Sequence, residues 1–334
     1  MVRRADERRS GRADRRAPRW RRDGSGNSGS DGPVTYEDRL NRIAEANPDV
    51  VVMTAENRAA IRTLPDRLGS RFIDVGIAEQ TLVGAAAGLA LRGRVPVVHA
   101  LASFLTMRAF EFIRTDVGIA QLPVKLVGAC AGFLSEANGP THQALEDIAL
   151  MRAIPGMTVC CPADEDEMLD ALANMVVDRA PWYVRYNARK PAFRHHTPLV
   201  PGTVEVVTEG TDVALLTYGC LTRECYEAAR RLADAGVATR LLNMRTLKPV
   251  DERAILCAVR ETSLVVTVED HFATGGLATI VAEVAASNSI AVRLHSIALA
   301  GRWFAPALLA DVLEYEGFTG EQLARRVGAA FAAR

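Results

Sequence analysis

The sequence predicts an α/β protein: two successive α/β domains with mainly parallel sheets. Short β-branched runs, apolar on both faces, alternate with longer Ala-rich segments of helical pattern, as a parallel sheet covered on both sides requires. The chain is also long enough, at 334 residues with about half of them apolar, to build two separate cores.

In order, strands are predicted at 49–53, 71–75, 95–99, 124–127 and 158–160, with helices over 79–91, 105–119 and 165–177 between them. Trp182-Tyr183-Val184-Arg185-Tyr186 is a further strand-like run. A linker follows, marked by Pro191, Pro198, Pro201, Gly202 and the pair His195-His196. A second unit then repeats the alternation: strand 212–218, helix 222–235, a turn at Gly236, strands 239–243 and 263–268, helix 277–286 and a last strand at 291–294. The boundaries read 1–33 for a disordered tail rich in Arg, Gly and Ser, 34–190 for the first domain, 191–210 for the linker and 211–334 for the second. No internal repeat points to a solenoid.

Formal net charge is zero and the sequence pI is near 7.0, which gives no sign of a nucleic-acid or membrane-surface partner. The Arg-rich start carries acids and no apolar stretch, so it reads as a solvated tail or as translation from an upstream start codon, not as an export signal. No apolar run approaches the roughly 18 residues of a membrane span. The six cysteines fall without CxxC or His-paired metal spacing, and reduced thiols in a soluble, cytoplasmic protein are expected.

Three places carry candidate chemistry. In Asp74-Val75-Gly76-Ile77-Ala78-Glu79-Gln80 a strand ends at glycine and runs straight into a helix. Glu79 is thereby delivered to the carboxyl end of a parallel strand, where ligands bind in such sheets; an ordinary first-turn acid favoured by the helix dipole is the other reading. In Asn138-Gly139-Pro140-Thr141-His142-Gln143 the Gly-Pro turn projects His142 near a helix start, where it either meets a bound oxygen or serves a structural role. Arg185 either grips a phosphate bidentately or is a solvated edge charge. In the second domain, Asp270-His271 and Gly275-Gly276 before a helix form either an anion-binding corner or a plain helix start with a structural histidine.

Taken in order, DVGIAEQ, ASFL with RAFEFIRTDVGIAQLPV, GPTHQ, IPGMTVCCPADEDEM and WYVRYN resemble the pyrimidine-binding domain of transketolases and 1-deoxyxylulose-5-phosphate synthases. VALLTYG, NMRTLKPVD and VVTVEDHFATGGLATIVAEV resemble their carboxyl-terminal domain. The resemblance runs from about Val34 to the end. It implies that Glu79 hydrogen-bonds a pyrimidine nitrogen of thiamine diphosphate and favours the tautomer that removes the thiazolium proton. Burial and a neighbouring acid would then raise the Glu79 pKa, because its carboxyl must donate a proton. Phe104 would lie against the pyrimidine, with Phe110 packing behind it, Ile77 beside the cofactor and Glu56 as a second nearby acid.

The chain has no GDG sequence, the motif with which these enzymes hold the metal of the diphosphate. The resemblance therefore implies a partner chain that supplies the diphosphate-binding domain and most of the Mg2+ ligands, in an α2β2 assembly with self-dimerisation through the second domain. Two departures blur the substrate. Cys130-Ala131-Gly132 stands where sugar-phosphate transketolases usually have a histidine, and Asn138 stands where they have an aspartate that reads a donor hydroxyl. Asn138, His142 and Arg185 are the expected substrate contacts, for transfer of a two-carbon ketol unit from a phosphorylated ketose. The competing readings are the beta subunit of a 2-oxo-acid dehydrogenase first component and a non-catalytic regulatory subunit. GPTHQ and TDVGIAQLPV favour transketolase.

Overall fold

The computed structural model describes residues 34–333; the tail expected at 1–33 lies outside them. The first part of the chain forms α1 (Tyr36–Ala46), β1 (Val50–Thr54), α2 (Leu64–Leu68), β2 (Phe72–Asp74), α3 (Glu79–Leu91) and β3 (Val95–Leu101). A π-helical turn (Phe104–Arg108), α4 (Phe110–Phe112) and a second π-helical turn (Ile113–Gly118) lead to β4 (Lys125–Ala129). Then come α5 (Asp147–Ala153), β5 (Thr158–Cys160), α6 (Glu165–Val177) and β6 (Trp182–Arg185). The remainder forms β7 (Glu205–Thr208), β8 (Val213–Thr217), α7 (Thr222–Asp234), β9 (Thr239–Asn243), β10 (Thr246–Lys248), α8 (Glu252–Glu261), β11 (Leu264–Phe272), α9 (Leu277–Ser287), β12 (Leu294–Leu299), α10 (Leu309–Glu316) and α11 (Gly320–Ala332).

The strands assemble into two sheets, ordered β10-β5-β6-β4-β3-β1-β2 and β12-β11-β8-β9-β7. Every pairing is parallel except β10 with β5 and β7 with β9. Alternation along the strands explains the layering. In β1, Val50 and Val52 face a core shared with α1 and α6, while Val51 and Met53 face α3 and the π-helical segment. In the second sheet, Val213 and Leu215 of β8 turn toward α7, α10 and α11, and Ala214 and Leu216 turn the other way.

That other way is the first sheet. Leu216, Tyr218, Leu242, Met244 and Leu247 share one continuous core with Met157, Val159, Cys161 and Tyr183. β10, though late in the chain, crosses to pair with β5. The two halves predicted to own separate cores thus share one cluster at their junction, while each keeps a further cluster on its outer face.

Three expectations are corrected. The helix predicted over 105–119 is broken: Ala109 N donates to Phe104 O (3.2 Å) and Ile119 N to Arg114 O (3.0 Å), both five residues back. The linker predicted at 191–210 contains β7, an antiparallel edge strand of the second sheet. The last strand is 294–299 and not 291–294; its pairing with β11 sets that register from Leu294 onward. Among the described residues no helix is long and apolar enough to cross a membrane.

Candidate active site

In the first sheet β1 and β3 are neighbours, yet β1 leads to β2 on one side and β3 leads to β4 on the other. The topological switch point, where open parallel sheets bind ligands, therefore lies beyond the carboxyl ends of these two strands. Glu56, Glu79, Phe104 and His142 follow β1, β2, β3 and β4 respectively.

Asp74, the last residue of β2, organises the first corner. Its carboxylate accepts from Glu56 N (3.1 Å), Gly76 N (3.0 Å) and Arg58 Nε (2.7 Å). Burial works against its charge, but Arg58 and the two amides hold its pKa below the ordinary carboxylate value. Glu56 has φ 54°, an uncommon conformation for a residue with a side chain, and is exposed. Gly76, at φ 72°, turns the chain so that α3 opens on Glu79. Ile77 projects outward, 73% exposed, whereas Glu79 is buried.

The Glu79 carboxylate meets a cation and not the neighbouring acid expected of it: Arg108 Nη1 donates to Glu79 Oε2 at 2.7 Å. The Arg108 guanidinium lies over the Phe104 ring, 4.1 Å from its centroid, and the His142 ring packs against Phe104 at 4.9 Å. Acid, aromatic ring and imidazole thus stand in one contiguous group. Thr141 Oγ1 is 2.9 Å from His142 Nδ1. Phe110 is half-buried against the core below. Asn138 is exposed, and its Nδ2 donates to Ser135 O (2.8 Å).

Arg185 is corrected outright. It is buried, with Nε and Nη2 donating to Asp147 (2.8 and 2.6 Å) and Nη1 to Asp270 Oδ1 (2.6 Å). Buried, and with three of its five N–H donors on two carboxylates, it is neither a solvated edge charge nor an open fork for a phosphate. It joins β6 of the first sheet to β11 of the second. The supposed anion corner is also filled: Glu269 accepts from Leu277 N (2.7 Å) and Ala278 N (3.1 Å), the first amides of α9. Burial raises the Glu269 pKa to about 7.

Arg108 escaped the reading of the sequence. Its spacing from Phe104, four residues within a helical segment, was the available signal for their contact. Its contact with Glu79, across 29 residues of sequence, had none.

Residues 34–191 match the pyrimidine-binding domain of transketolase, and residues 202–323 match the transketolase C-terminal domain. The chain is 36% identical, over 76% of its length and 80% of the relative's, to a 6-deoxy-6-sulfo-D-fructose transketolase subunit of a Clostridium species. It belongs to the transketolase family. A solved structure described as a split gene transketolase, an inactive beta4 tetramer, superposes with a TM-score of 0.77 at 32% identity, covering 89% of this chain and 96% of that one. The 1-deoxy-D-xylulose-5-phosphate synthase of Symbiobacterium thermophilum is 35% identical over 89% of this chain, which spans only 47% of that enzyme.

This transketolase chain thus comprises the pyrimidine-binding and C-terminal domains, the section that forms a separate subunit in split transketolases. It is a transketolase-type transferase, of a family that depends on thiamine diphosphate. A buried carboxyl and an aromatic ring bridged by one side chain give a polar edge and a flat face, which fit an aminopyrimidine.

Proposed function

We propose that this chain is the pyrimidine-binding subunit of a two-chain transketolase that moves a two-carbon ketol unit from a ketose donor to an acceptor. Residues 34–190 form the pyrimidine half, 211–334 the C-terminal half, and a partner chain holds the diphosphate and its Mg2+. The observation that supports this best is the grouping of Glu79, Phe104 and His142 at the switch point of the first sheet. Thiamine diphosphate, when bound, supplies the nucleophilic carbon and the electron sink for breaking the ketose C2–C3 bond. Glu79 holds a proton toward the pyrimidine nitrogen, Phe104 gives the ring a flat apolar face, and His142 donates to substrate oxygen. Asn138, exposed four residues before His142, reads a donor hydroxyl without charge assistance.

The diphosphate end belongs to the partner in this reading. Among the described residues, Glu167, His195 and Glu205 alone bring three histidine or acidic ligand atoms together, and Arg245 is already bound to both carboxylates (2.5 and 2.9 Å). Exposed Ile77, Met107 and Phe112 beside the site suit a surface that another chain covers. An α2β2 assembly follows if the C-terminal halves self-associate. The six cysteines are free, which suits a reducing, cytoplasmic compartment. With Arg185 withdrawn, a phosphorylated donor rests on the partner or on residues outside this grouping.

The test compares the chain alone, and with a companion protein carrying a GDG sequence, in thiamine diphosphate and Mg2+. Ketol transfer from xylulose 5-phosphate is measured against decarboxylation of pyruvate. Transfer only in the mixture is expected, and E79Q should lower it by at least about 100-fold with the fold intact, a typical contribution of a positioned acid. Turnover by the chain alone, preference for pyruvate or near-normal activity of E79Q each rejects the proposal.

A further inference from the structure

Arg108 makes two contacts at once. Its Nη1 reaches the buried Glu79 carboxylate at 2.7 Å, and its guanidinium carbon stands 4.1 Å from the centre of the Phe104 ring. A guanidinium is planar, carries N–H donors at its edge and presents a face that stacks on aromatic rings. An aminopyrimidine is likewise planar with a face that stacks, and toward Glu79 it presents a ring nitrogen that accepts where the guanidinium donates. Edge to Glu79 and face to Phe104 is also the posture that the proposed function requires of the pyrimidine. Two groups cannot hold one carboxylate edge and one ring face together.

We infer that Arg108 is a cap on the pyrimidine subsite: it competes with the cofactor ring for Glu79 and Phe104 and must swing aside before the ring can enter. The inference rests on the assignment of Glu79 and Phe104 made above.

Three features make the cap movable and necessary to move. The Arg108 side chain is 39% exposed while that of Glu79 is 2% exposed, so the arginine has a way out into solvent and the glutamate has none. Arg108 ends the π-helical turn 104–108, and Ala109 N closes that turn on Phe104 O, so the backbone carrying the arginine is held while its long side chain keeps its rotamers. Finally, Glu79 accepts from Arg108 here, whereas the proposed function has the same carboxyl edge facing the pyrimidine. Glu79 capped by Arg108 and Glu79 donating to a pyrimidine are alternative states of one residue. Cofactor affinity is then the intrinsic affinity scaled by the fraction of chains with the cap open, so a subsite capped nine times in ten binds about tenfold more weakly than an open one.

The experiment measures binding by calorimetry with two probes: 4-amino-5-hydroxymethyl-2-methylpyrimidine on the chain alone, and thiamine diphosphate with Mg2+ on the two-chain complex. The variants are R108M, R108Q, E79Q and the double variant R108M/E79Q, each checked for fold by circular dichroism. R108Q, the more polar replacement, carries the test should R108M fail to fold. The cap predicts that R108M or R108Q binds both probes about tenfold more tightly than the unaltered protein, and that this gain disappears in R108M/E79Q. Equal or weaker binding by the Arg108 variants, with E79Q still losing pyrimidine affinity, overturns the cap and leaves the Glu79 assignment standing. Binding that E79Q does not change overturns the assignment and the cap together.

Discussion

Replacing Arg185 by Met retains an unbranched side chain of similar length and removes the charge that three buried hydrogen bonds share. Asp147 and Asp270 then stay behind with side-chain exposures of 0% and 2%. Breaking a buried ion pair by deleting one partner costs about 3–5 kcal/mol, because the remaining charge is uncompensated. Against a typical folding stability of about 5–15 kcal/mol, that is a large fraction. With a urea slope of about 3 kcal/mol per M, reasonable for a chain of this size, the unfolding midpoint should fall by about 1–1.7 M.

The pH dependence should change with it. Burial alone would raise the Asp147 pKa, but the Arg185 charge and its hydrogen bonds hold it below the ordinary value. In the unaltered protein this carboxyl therefore contributes stability above about pH 3.9, lost as pH falls through the lower folded value. In R185M burial is opposed only by the Tyr183 hydroxyl and the nearby His271, and the deficit should be largest near neutrality and shrink toward pH 5. Adding D147N and D270N should recover at least half of the lost stability. Urea unfolding followed by circular dichroism decides the matter. An unchanged midpoint, together with a raised KM confined to phosphorylated donors, would refute the structural role and return Arg185 to substrate binding.

Two further outcomes follow from the same geometry. His195 donates into a buried acidic cluster, 2.6 Å from Glu205 and 2.8 Å from Asp164; burial opposes its charge, but these bonds raise its pKa to about 10. Its contribution is then complete below pH 6.5 and lost as pH rises toward 10, so H195Q should cost about 2 kcal/mol at pH 6, after discounting for solvent screening, with the gap closing by pH 10; a pH-independent gap in urea midpoints would count against the ion cluster. Gly132 has φ 57°, and a Cβ there would lie 1.9 Å from Asp270 Oδ2, so G132A should lower stability by about 2–4 kcal/mol in thermal or urea unfolding; a neutral result would mean that the Asp270 carboxylate moves freely.

What the sequence disclosed and what it hid divide along the range of the contacts involved. Most strands of both sheets were legible because each is a short run with apolar residues on both faces, and α3 and α6 because their patterns and opening acids are local. The place of Glu79 at the opening of α3 was legible for the same reason, since strand, glycine turn and helix start lie within six residues, whereas its role toward a cofactor came only from the family resemblance. Arg185 was misjudged because its partners sit 38 and 85 residues away, and a lone cation on a strand looks alike whether it faces water or a buried carboxylate. Arg108 went unseen because its carboxylate partner belongs to another helix. β7 and β10 were missed because each takes its identity from an antiparallel neighbour far away in the sequence.

The distant contacts also change what kind of body the chain is. Two domains read from the sequence invite the picture of a hinge at 191–210. The shared core, the passage of β10 into the first sheet and the Asp147–Arg185–Asp270 bridge all resist one. His195 ties the would-be linker to Asp164 at the start of α6 and to Glu205 on β7, and Arg245 joins Glu167 to Glu205 across the same junction. Motion that admits a cofactor should therefore come from side chains at the switch point, Arg108 above all, and from the way a partner chain covers them. It should not come from one half of this chain bending against the other.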